Sequence, residues 1–152
     1  MADEGKVQKI LIRAVIEIAG FPKEHIEATM KKLMENIKEN FNLDKYDIFE
    51  ANQIDKVWST FSEVEIYFDG VDKVIGFCID YLPSSVEILE PKNVNIENFK
   101  FADVINDLIG KLHQYETVIR SLRASNIRMK KKIEDEGKTG ETETQDDTSE
   151  SD

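Results

Sequence analysis

FSEVEIYFDGVDKVIGFCIDYLPSSVEILEP, residues 61–91, reads as strand, turn, helix and strand in quick succession. Val64, Ile66 and Phe68 alternate with Glu63, Glu65 and Tyr67, the two-residue period of a half-buried strand. Asp69-Gly70 supplies a turn. VDKVIGFCIDYL then reads as a short helix, which Pro83 ends because proline cannot continue the hydrogen-bond ladder. SSVEILEP returns to alternation, with Val86 and Ile88 set against Glu87 and Leu89.

Working upstream, KILIRAVIEIAG (9–20) places Ile10, Ile12, Ala14, Ile16 and Ile18 on one face of a first strand. Lys9, Leu11, Arg13, Val15 and Glu17 take the other. Gly20 breaks the strand and Pro22 suits the first turn of a helix. That helix is predicted to reach about Asn40, since Ile26, Met30, Leu33, Ile37 and Phe41 recur at intervals of three and four. NLDKYD (42–47) reads as a turn and YDIFEANQI (46–54) as a weaker edge strand. The order β-α-β-β-α-β predicts an α+β fold, a ferredoxin-like sandwich of an antiparallel sheet with two helices on one face, followed by a long C-terminal helix. The expected divisions are a flexible N-terminus (1–6), the ferredoxin-like domain (7–98), a coiled-coil helix (99–133) and a disordered acidic tail (134–152).

Downstream, Phe101, Ile105, Leu108, Leu112, Tyr115, Ile119, Leu122, Asn126, Met129 and Ile133 are spaced alternately by four and three. This is a heptad, with Ile105, Leu112, Ile119, Asn126 and Ile133 at a and the others at d. It predicts a homodimer in which Leu108, Leu112, Tyr115, Ile119, Leu122, Asn126, Met129 and Ile133 form the seam. Two Asn126 side chains would bond across a parallel pair, at a cost in stability but with a gain in register and stoichiometry. Lys111 at g would then face Glu116 at e of the partner. For Phe101 to Tyr115, packing on the chain's own domain is the competing arrangement.

The formal net charge is −11, but from Glu134 onward nine Asp/Glu stand against one Lys, a net of −8, leaving −3 to residues 1–133. Residues 111–132 carry Lys111, Arg120, Arg123, Arg128, Lys130, Lys131 and Lys132 against Glu116, a net of +6. A basic helix therefore runs straight into an acidic stretch, which is too poor in apolar residues to offset its ordering entropy by burial. Arg120, Arg123, Arg128, Lys130, Lys131 and Lys132 are the candidates for contact with nucleic acid, where a basic helix meets phosphates. The adjoining acidic tail, which would mask Lys130 to Lys132, and the lack of an aromatic RNA-binding motif on the strands argue against it.

Catalytic equipment is not evident. His25 and His113 have no ligand-spaced partners, and no metal, phosphate-loop or nucleophile motif appears. The chain is expected to be no enzyme and to need no cofactor. Glu17, Glu63, Glu65 and Glu87 should share the sheet face left bare by the helices, where hard cations would find oxygen ligands or a basic partner would find charge. Lys9 and Arg13 would relieve that face. The lone Cys78 reads as a small buried hydrophobe, and the absence of a secretory apolar segment points to a reducing cytoplasm. No window approaches the ~20 apolar residues of a membrane span.

Thr60 to Pro91, ending in V-E-I-L-E-P (86–91), resembles the ferredoxin-like extension that follows the WYL domain in bacterial transcription regulators. The likeness covers 32 of 152 residues. It includes neither a helix-turn-helix nor a WYL core, so what it implies is a shared fold and an oligomerising or regulatory role. The expectation is a protein-interaction and dimerisation module acting as scaffold, adaptor or regulatory subunit. The alternatives are a nucleic-acid-binding regulator and a small-molecule or metal sensor.

Overall fold

The structure is a computed structural model that describes residues 7–142, and side chains from 7 to 138. The expectation of a flexible segment at 1–6 lies outside the described residues. Two compact units divide the chain, Met1–Asn106 and Asp107–Asp152.

In the first unit the element order is β1 (Lys9–Gly20), α1 (Lys23–Asn40), β2 (Asn42–Ile48), β3 (Asn52–Ile54), β4 (Val57–Asp69), α2 (Val71–Tyr81) and β5 (Ser85–Glu90). The strands form one antiparallel sheet in the order β2-β4-β1-β5, with β3 hairpinned onto β4. β1 and β4 pair along their whole length, from Lys9 opposite Asp69 to Gly20 opposite Trp58. This long central pair sets every side-chain face in the sheet, because a one-residue slip would turn each apolar row to water.

Ile10, Ile12, Ala14 and Ile16 of β1 and Val64, Ile66 and Phe68 of β4 meet Met30, Met34 and Ile37 of α1 and Val74 and Phe77 of α2 in one core. Both helices therefore cover the same face. α1 buries Ile26, Met30, Met34 and Ile37, so Met34 takes the deep position expected of Leu33, which packs at the margin. At its end Phe41 donates its backbone N–H to the Ile37 carbonyl and lays its ring against Phe68, Phe77 and Tyr81 at 5.3–5.8 Å. Thr60 and Ser62 are fully buried within β4, yet their hydroxyls donate to the Phe49 and Asp47 carbonyls at 2.6 and 2.8 Å. These bonds tie the edge segment 47–49 to the central strand and satisfy both buried hydroxyls.

The Asp69-Gly70 turn is as expected. Gly70 sits at φ 103, where a Cβ would come within 2.6 Å of the Asp72 carboxylate. α2 ends on Leu82, which adopts the left-handed conformation at φ 46 and is 66% exposed.

Two expectations are corrected. Residues 42–47 form no turn; they open β2, which pairs with Tyr67 to Ser62 of β4, and the single edge strand expected over 46–54 is divided between β2 and β3. A register shift between Leu43 and Lys45 inserts one extra residue, so the apolar alternation changes phase inside the strand and the two-residue period disappears. The second correction concerns α3, the C-terminal helix, which spans Asn98–Thr142 rather than stopping at Ile133. Residues 134–142 of the expected disordered tail are thus helical, and 143–152 lie outside the described residues. Lys130, Lys131 and Lys132 each have a carboxylate four residues on, at Glu134, Asp135 and Glu136, a spacing that supports helix without tertiary burial. Among the described residues no helix is long and apolar enough to cross a membrane.

Candidate functional site

Two surfaces carry the residues that the sequence singles out, one on the sheet and one on the C-terminal helix. The first is the sheet face opposite the helices. Strand register brings Arg13 of β1 opposite Glu65 of β4 on one side and Glu87 of β5 on the other. Its guanidinium donates to Glu65 Oε1 at 2.8 Å from Nη2 and 3.1 Å from Nε, lies 3.4 Å from Glu63 and reaches Glu87 at 3.4 Å. Lys45, on β2, adds a second cation to Glu65 at 3.2 Å. The Glu65 side chain is only 7% exposed. The Arg13 hydrogen bond holds its carboxyl below the usual carboxylate range, against the opposing pull of desolvation, and Lys45 reinforces it. Arg13 is raised in turn, chiefly by that same bond.

Of the four carboxylates expected on this face, three converge, and their common cation is Arg13. Glu17 stands apart, accepting a 2.6 Å bond from Ser59. Lys9 lies over the Tyr67 ring at 4.6 Å. Among the described residues no group of three or more His, Cys, Asp or Glu is placed to hold a metal ion. The geometry is that of a charge hub that fastens β1, β2, β4 and β5 together.

The second surface is α3. Leu108, Leu112, Tyr115, Ile119, Leu122, Met129 and Ile133 are each between 43% and 69% exposed, and Asn126 is exposed with them. Phe101 and Ile105 continue the row toward the helix start, also exposed. At ~1.5 Å per residue such a row extends for roughly 50 Å. A contiguous apolar stripe of this size is larger than scattered surface leucines produce. Isolated exposed leucines need no explanation.

Four further large apolar residues on α3 are exposed outside the heptad row: Phe99 ahead of it, Ile109 at e, Val118 at g and Ile127 at b. Their signal is visible in hindsight as a widening of the stripe beyond a and d. Ile109 and Leu112 also line a shallow hollow with His113 and Glu116.

The basic candidates lie on the same helix, at positions other than a and d. Arg120 reaches back one turn to Glu116 at 2.7 Å, and Arg128 donates to the Ser125 hydroxyl at 3.3 Å. Arg123, Lys130, Lys131 and Lys132 are exposed. Elsewhere, His25 is a surface residue of α1. Cys78 is partly buried in α2, where desolvation pushes its thiol up, away from a reactive thiolate.

Comparison with known proteins adds a family. The family model described as "MJ0538 family" matches residues 11–147, across both surfaces. The chain is similar to a Methanocaldococcus jannaschii protein described as uncharacterized protein MJ0538, with 27% identity over 132 residues, which is 84% of this chain. It spans about half the length of that curated relative, 50%. No solved structure matches.

Proposed function

We propose that this chain, which belongs to the MJ0538 family, is a non-catalytic association module that brings chains together through its C-terminal helix. The observation that carries this reading is the bare apolar heptad of α3, from Phe101 to Ile133. A helix in water leaves such a row exposed at a cost of about 25 cal/mol per Å², so burial against another helix is strongly favoured. A scaffold, adaptor or regulatory subunit, working as a homodimer or on a further protein partner, is the role this surface suits.

The first unit is read as a ferredoxin-like sandwich. What supports it is the strand order β2-β4-β1-β5, together with α1 and α2 packed over one face. The likeness of residues 60–91 to the extension of WYL-domain regulators favours the same role, oligomerisation or regulation. The hub at Arg13 argues against a cation sensor on the sheet, because the carboxylates already have an internal cation.

The test is absolute molar mass in solution by light scattering, on the full chain and on a version ending at Tyr115. A dimer that becomes monomeric on truncation supports the reading; a full-length monomer overturns it. The second reading, nucleic-acid binding, is favoured by the exposed Arg123 and the Lys130–Lys132 run. It requires salt-dependent retention of the chain on DNA or RNA that strengthens when residues 134–152 are removed.

A further inference from the structure

The exposed seam of α3 has a direction built into it, and we infer that its occupant is α3 of a second copy, lying parallel and in register. This rests on the proposed self-association and goes beyond it by fixing orientation.

Consider first the antiparallel pair with the longest overlap, in which every a residue faces a d residue. Ile105 would then meet Met129, Leu112 would meet Leu122, Ile119 would meet Tyr115 and Ile133 would meet Phe101. Asn126 would be pressed against Leu108, which offers its amide neither donor nor acceptor. A buried amide with no partner forfeits the hydrogen bonds that it made with water. The flanking positions are mixed, because antiparallel helices set e against e and g against g, and only Val118 on its own copy is an apolar match. Glu116 would oppose its own copy at the centre of the seam, and Ile109 would face Arg123. Centring the antiparallel pair on Asn126 would let the two amides meet. Counted along the sequence, it would also match Phe101, Ile105 and Leu108 with Ser151, Asp147 and Thr144, none of them apolar.

The parallel in-register pair removes each conflict. Asn126 meets Asn126, and an amide both donates and accepts, so the two satisfy each other. Every other layer is apolar against apolar. Parallel helices set g against e of the next heptad, which places Lys111 opposite Glu116, Val118 opposite Arg123 and Ser125 opposite Lys130. One of these pairs is attractive and none sets like charges together. Glu116 already accepts Arg120 of its own helix at 2.7 Å, and a carboxylate has room for a second cation. Val118 at g, exposed in the single chain, gains cover from the aliphatic stem of Arg123, and Ile109 at e, also exposed, meets Val104 at g.

Cysteine cross-linking of the full chain tests this, with light scattering on the same samples. Leu112→Cys and, separately, Asn126→Cys are oxidised under mild conditions, with the native chain and its part-buried Cys78 as the baseline. Both variants are expected to convert in the main to a covalent species of twice the chain mass, while the native chain does not. A noncovalent dimer in which neither variant cross-links, but the Leu108→Cys/Asn126→Cys double variant does, overturns the parallel arrangement and leaves self-association standing. A trimeric or tetrameric mass overturns the two-stranded assignment. A monomeric mass for the native chain removes both readings together.

Discussion

Arg13 holds three carboxylates from two neighbouring strands, so its loss strands charge rather than merely removing a contact. Glu65 is the partner that matters most, being almost wholly covered. Its folded carboxyl is held below the ordinary value of about 4.3, so its stabilising effect is complete above that value. That contribution drains away as pH falls through the lower folded value. Thermal melts between pH 3 and 7 should therefore show a steeper acid-side loss for the native chain than for Glu65→Gln, whose amide does not titrate. Leu82 offers the opposite kind of change. A leucine at φ 46 with its side chain in water holds a conformation that glycine adopts freely. Leu82→Gly is expected to raise stability by up to about 1 kcal/mol in denaturant unfolding. Cys78, half-covered and with its thiol pushed up, should alkylate slowly in the native chain and rapidly once unfolded.

At the scale of elements, the central pair β1 and β4 carries the first unit. Ile66 is fully buried between the two helices and the sheet, so Ile66→Ala should cost about 2–5 kcal/mol by equilibrium unfolding. For α3 the informative change is Asn126→Leu, which should preserve helicity by circular dichroism while broadening the set of oligomers seen by sedimentation. The strands with strict alternation, 9–20 and 61–68, were legible from sequence because one face of each meets a core and the other meets water. β2 was not, because the extra residue near Asp44 changes the phase of its alternation midway. That residues 101–133 form one helix was legible, since a beat of three and four follows helix geometry. The continuation of α3 from Glu134 to Thr142 was not. Composition marked those residues as polar and acidic, and the carboxylates placed one turn after Lys130, Lys131 and Lys132 act through position rather than composition. The hub at Arg13 was half legible: alternation put the glutamates on one face, but only strand register shows which of them a single guanidinium can reach.

On the scale of the whole molecule, the two units differ in what they need. The first satisfies its buried polar groups internally and closes its own core. α3 carries a row of exposed apolar side chains, and under the self-association proposed above its order in solution is tied to how many other copies are present. By mass action the covered fraction rises with protein concentration, and so should the midpoint of any thermal transition that reports on the helix. The sheet transition, by contrast, should stay where it is. Calorimetry of the full chain across a hundredfold range of dilution would then separate into a travelling component and a stationary one. On that proposal, sufficient dilution would uncover the apolar row from Phe101 to Ile133 and offer it to whatever dye, chaperone or protease reads bare hydrocarbon.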